Sequence, residues 1–151
     1  MQKLLATLLA TTFVFSAYAK ENSYTANFVN EVKKAADSDG QLSEQLVIEC
    51  PVPSASGTFL ITKATYDFSN NLGVYVFKNG QGHDAKLDWI GAKTKGDDLS
   101  SDEVVGFDFG LTMPGGQFFI TVMKNGKVKV GVNKNGTSGV KEITCKVVVP
   151  D

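Results

Sequence analysis

At 151 residues, with 15 basic groups against 16 acidic ones and a formal charge of −1, the chain suits one ordinary domain with no electrostatic pull toward polyanions. Every basic residue is a lysine, so the side chain that grips phosphate through two parallel donors is missing altogether. Nucleic acid and anionic lipid are therefore not expected partners.

The first nineteen residues carry an export address. Lys3 provides positive charge, Leu4 to Phe15 is an uncharged apolar run, and Ala17-Tyr18-Ala19 offers small residues to a signal peptidase. This is the layout of a signal peptide, with cleavage expected after Ala19, and its apolar run is too short for a permanent membrane helix. No later segment is apolar enough to insert into a membrane, and no cysteine follows Ala19 closely enough for a lipid anchor. The short leader with its single lysine is of a bacterial, Gram-negative type. Residues 20–151 are then expected as a single exported β-rich domain, periplasmic or extracellular.

Residues 23–36 read as a helix, because Tyr24, Phe28 and Val32 recur at four-residue spacing beside Ala35 and Ala36. Ser23 is the expected N-cap. Lys33 and Lys34 suit the negative C-terminal end, and Asp37-Ser38-Asp39-Gly40 is the stop.

From there the hydrophobic period shortens to two. Val105, Phe107, Phe109 and Leu111 alternate with Val104, Gly106, Asp108 and Gly110, and Val128, Val130 and Val132 alternate with Lys127, Lys129 and Gly131. Strands are predicted near 46–52, 57–67, 71–78, 85–91, 104–111, 117–124, 127–133 and 140–149. Asn125-Gly126 predicts a two-residue hairpin turn of type I′. The fold class that follows is mainly β: an antiparallel meander of about eight strands forming a sandwich or barrel, with one N-terminal helix packed on it.

Cys50 shares a strand face with Leu46, Ile48 and Val52, and Cys145 shares one with Ile143, Val147 and Val149. Two apolar-facing thiols in an oxidising compartment predict a structural Cys50–Cys145 disulfide, and no reactive cysteine is expected.

Two strands lack a polar face. Leu72-Gly73-Val74-Tyr75-Val76-Phe77 is apolar on both sides, and Phe118-Phe119-Ile120-Thr121-Val122-Met123 nearly so. The helix is expected to cover the second face, either across the outside of the sheet or as a plug in one end of a barrel. The alternative is an exposed aromatic patch that binds a partner. Trp89, the sole tryptophan, shares an alternation face with Leu87, which predicts core packing; on an open face it would be the first candidate for a sugar-stacking or protein-docking platform.

Catalytic chemistry has little footing. His83 is the only histidine, placed in the glycine-rich turn Gly80-Gln81-Gly82-His83-Asp84, and no nucleophile motif accompanies it. One histidine and a bridged cysteine pair cannot furnish a zinc site. Asp84, Asp88, Asp108 and Glu142 are the carboxylates that could in principle run glycoside hydrolysis. The acidic stretch Gly96 to Glu103 offers oxygen ligands, but its spacing fits no calcium-binding loop and reads as a solvated loop. No catalytic, cofactor or metal residue is assigned. The C-terminal Val149-Pro150-Asp151 departs from chaperone-assembled pilus subunits, which carry a penultimate tyrosine, and from outer-membrane barrels, which end on an aromatic residue. The expectation is an exported, non-enzymatic binding or inhibitor-type protein with an unidentified protein or glycan partner. A small carboxylate-based hydrolase and a structural surface or adhesin subunit are the alternatives.

Overall fold

The computed structural model describes residues 2–37, 43–51, 56–62, 73–77, 82–97, 101–113, 116–134 and 141–149. A long helix, α1 (Gln2–Asp37), precedes β1 (Ser43–Glu49), β2 (Gly57–Thr62), β3 (Gly73–Phe77), β4 (Gly82–Thr94), β5 (Val104–Met113), β6 (Gly116–Met123), β7 (Val128–Lys134) and β8 (Lys141–Val148). Each strand pairs antiparallel with the next in sequence, which builds one curled sheet. β1 also meets β8 through Val47↔Val148, Ile48↔Val147 and Glu49↔Lys146, so the hydrogen-bonded order returns to its start. The chain is mainly β with an N-terminal helix, as the change of period predicts.

Strand alternation decides which side faces the core. Leu46, Ile48 and Cys50 (following β1), Phe59 of β2, Phe107, Phe109 and Leu111 of β5, Ile120 and Val122 of β6, Val128 and Val130 of β7, and Cys145 and Val147 of β8 are all buried. Phe109 is the aromatic centre, with Phe59 at 5.3 Å, Phe107 at 6.2 Å and Phe28 of α1 at 6.3 Å between ring centroids. The Phe28 and Phe59 contacts are edge-to-face, a geometry that adds to the area the rings bury.

The helix lies on this same inner side. Phe28, Val29 and Val32 are buried with the strand residues, and α1 touches β1, β5, β6 and β8. Each of those side chains stabilises by about 1.5–3 kcal/mol when fully buried. The Tyr24 hydroxyl donates to the Gln45 carbonyl, and Thr25 Oγ1 lies 3.3 Å from the Lys124 carbonyl. α1 therefore covers the interior rather than the outside of the sheet, and among the described residues no helix lies on the outer face of β6. The second apolar face of β3 concerns side chains outside the described residues.

Two local expectations are corrected. Helix α1 runs through Ser23 without a break, so Ser23 is not an N-cap: the alanine- and leucine-rich residues before it are good helix formers that extend the same helix. The β6–β7 connection is a three-residue loop, Lys124-Asn125-Gly126, not a two-residue one. Met123 N donates to the Lys127 carbonyl at 2.9 Å, and Gly126 N donates to the Met123 carbonyl at 3.1 Å. Gly126 holds the left-handed position at φ 83° that such a loop requires.

The predicted disulfide is present. Cys50 and Cys145 are bonded with their Cα atoms 4.3 Å apart, one step beyond the Glu49↔Lys146 pair, so the bridge continues the β1–β8 ladder. Among the described residues no cysteine is free, and no helix is long and apolar enough to cross a membrane.

Candidate functional site

The outer face of β4 to β8 carries an open groove of about 320 Å³, lined by Trp89, Lys93, Asp108, Phe119, Thr121, Lys129, Gly131 and Glu142. It is built from two adjoining cross-strand rows. Trp89↔Gly110↔Phe119↔Gly131↔Glu142 forms the aromatic row, and Gly91↔Asp108↔Thr121↔Lys129↔Thr144 forms the polar one.

Trp89 reaches this face through a β-bulge. Leu87 pairs with Leu111 and Trp89 with Gly110, so Asp88 is one residue too many for the ladder. The extra residue reverses the sidedness of everything after it. Leu87 stays fully buried while Trp89 turns outward, 41% exposed. The expected core packing of Trp89 is thereby overturned, since strict alternation from Leu87 does not survive a bulge.

A glycine lets the indole lie flat. A Cβ on Gly110 would stand 2.2 Å from Trp89 Nε1 and 2.6 Å from the adjoining ring carbon, so the ring occupies the space that any other residue would fill. Laid across Gly110, Trp89 meets Phe119 two strands away, at 6.4 Å between ring centroids and a tilt of 41°. Gly131 leaves the other flank of Phe119 open toward Glu142.

The polar row is held by charge-assisted bonds. Lys93 Nζ lies 3.1 Å from Asp108 Oδ2, and Thr121 Oγ1 donates to Asp108 Oδ1 at 2.6 Å, so both oxygens of that carboxylate are engaged. Lys129 Nζ lies 2.8 Å from Glu142 Oε2. Both pairs are partly exposed and are worth about 0–1 kcal/mol each to folding, so they shape the surface more than they stabilise it.

The carboxylates singled out in the sequence are thus sorted. Asp108 and Glu142 share the groove. They stand three strands apart, roughly 14 Å between backbones at the usual strand spacing, and each is matched to a lysine. Asp88 lies in the bulge and accepts a hydrogen bond from Thr112 Oγ1. His83 belongs to β4, opposite Tyr75, rather than to a turn, and the side chains of His83 and Asp84 lie outside the described residues. In the acidic stretch after β4, Glu103 pairs with Lys95 at 3.4 Å, while residues 98–100 lie outside the described residues.

Sequence reasoning missed Lys93, Lys129 and Gly131 as site residues, and it held Phe119 and Thr121 only within the strand whose exposed aromatic patch was the alternative to cover by the helix. Outward alternation of Lys129 and Gly131 along β7 was visible. Their convergence with β4 was not, because it depends on the bulge. The chain matches no family model, no curated protein and no solved structure.

Proposed function

We propose that the protein is an exported, non-enzymatic binding protein whose ligand docks in the outer groove of β4 to β8. The observation that carries this reading is the sole tryptophan, 41% exposed and laid over Gly110 against Phe119 beside two ion pairs. Exposed aromatic surface beside placed polar groups is the make-up of a ligand site. In this reading the sheet is a closed barrel, supported by the β1–β8 pairing, and it serves as a rigid frame for the groove. Export is supported by the leader of residues 1–19 and by a disulfide that an oxidising compartment maintains.

The hydrolase alternative asks for two carboxylates about 5–9.5 Å apart with one held protonated. Asp108 and Glu142 stand on strands three apart, and each is paired with a lysine. The arrangement therefore supports binding over bond cleavage.

Affinity capture with the exported, oxidised protein tests this reading against cell-envelope and host material. A stoichiometric component retained by the native chain and lost by Trp89→Ala is expected. Steady polysaccharide turnover without a stable complex would replace the binder with the hydrolase.

A further inference from the structure

We infer that the groove takes a neutral oligosaccharide, with one sugar ring stacked on Trp89 and its hydroxyls held by the Lys129–Glu142 and Lys93–Asp108 pairs. This rests on the reading of the groove as a binding site and adds the chemical class of the ligand. A pyranose ring has a flat face of C–H groups and an equatorial rim of hydroxyls. Its natural receptor is an apolar plate next to groups that both donate and accept hydrogen bonds. Trp89 and Phe119 supply the plate, on the one part of the outer sheet where Gly110 lets a ring lie flush.

The polar partners suit hydroxyls in particular. A hydroxyl donates one bond and accepts others, whereas an ammonium only donates and a carboxylate only accepts. Lys129 Nζ and Glu142 Oε2, 2.8 Å apart, present a donor and an acceptor side by side, as do Lys93 and Asp108 at 3.1 Å. The groove's two lysines are matched by its two carboxylates, so its walls sum to no net charge. A phosphate or sulfate at either lysine would also face that lysine's carboxylate, and a cationic peptide at either carboxylate would face its lysine. A neutral polyol meets no such repulsion.

Size points the same way. At about 320 Å³ the groove is at the small end of ligand sites, which run to roughly 300–1,000 Å³. It fits one or two rings.

Trp89 is also its own reporter, being the only tryptophan in the chain. The oxidised protein is titrated with short neutral oligosaccharides of glucose, N-acetylglucosamine, mannose and galactose. Sulfated and uronate-containing glycans serve as charged comparators, and tryptophan emission is the signal. At least one neutral series is expected to give a saturable blue shift that changes less than about twofold between low and high salt. Trp89→Ala should weaken that binding about tenfold or more, Trp89→Tyr should retain part of it, and Lys129→Ala should weaken it severalfold. Circular dichroism confirms that each variant is folded.

A panel without any neutral binder overturns the inference. Salt-sensitive binding of a charged glycan or a protein that still depends on Trp89 also overturns it, while leaving the groove as the binding site. A ligand indifferent to both Trp89→Ala and Lys129→Ala overturns the groove itself.

Discussion

Gly110 and Gly126 are two positions where a missing Cβ shapes its surroundings. At Gly110 the absent atom is replaced by the Trp89 ring. Gly110→Ala would place a methyl 2.2 Å from Nε1 and must tip the indole outward. Since the ring has solvent to move into, the expected result is a red-shifted emission maximum with a loss of stability under about 1 kcal/mol, measured by fluorescence and urea denaturation on one sample. At Gly126 no such escape exists. Its φ of 83° alone costs an alanine about 1–2 kcal/mol. A Cβ there would also stand 2.2 Å from Asn22 Oδ1, a buried atom with no hydrogen-bond partner among the described residues. Gly126→Ala is therefore expected to lower the urea midpoint clearly where Gly110→Ala does not. The sequence showed both glycines, but only Asn125-Gly126 announced its role, because turn chemistry is local. The pairing of Gly110 with Trp89 joins different strands and has no local mark.

Among the elements, α1 and β4 depart most from their sequence patterns. The stripe Tyr24, Phe28 and Val32 located the helix correctly as one apolar face in need of cover. The sequence left two placements open, across the outside of the sheet or as a plug in one end of a barrel. Phe28 against Phe109 settles that on the interior. Phe28→Ala is expected to cost about 3–5 kcal/mol, read from chemical denaturation, because it opens a cavity between helix and sheet. Lys129→Ala on the opposite face should change stability by no more than about 1 kcal/mol, so the two sides of the sheet are separable by mutation. In β4, period-two reading worked up to Leu87 and failed at Asp88, where one extra residue changes the parity of the strand. Deleting Asp88 should therefore remove the bulge and leave Leu87 facing inward and Trp89 facing outward as consecutive residues of a regular ladder. Acrylamide quenching of the Trp89 emission should be retained, and its loss would show that the parity had changed. Bulges carry no fixed residue signature, which is why the chain alone offered an exposed aromatic patch only as the alternative and placed Trp89 in the core.

For the molecule as a whole, the strand alternation and the two cysteines made the β class and the disulfide legible, since both rest on short-range apolar patterning plus compartment. Their geometry adds that the bridge sits where the first and last strands meet. With a sequence separation of 95 between the two cysteines, the chain-entropy model gives a stabilisation of about 4–5 kcal/mol. Reduction, or Cys50→Ser with Cys145→Ser, is expected to lower the thermal midpoint by more than about 10 °C in calorimetry. The covalent circuit from Cys50 to Cys145 encloses β2 through β7, leaving α1 outside it. A protease that nicks any connection within that circuit would release no fragment: the cut chain stays one molecule on a non-reducing gel and separates into two only with thiol. A cut between α1 and β1 has no such safeguard. There the helix is retained only by non-covalent contacts, so the same gel would distinguish the stapled part of this protein from the part that no covalent bond secures.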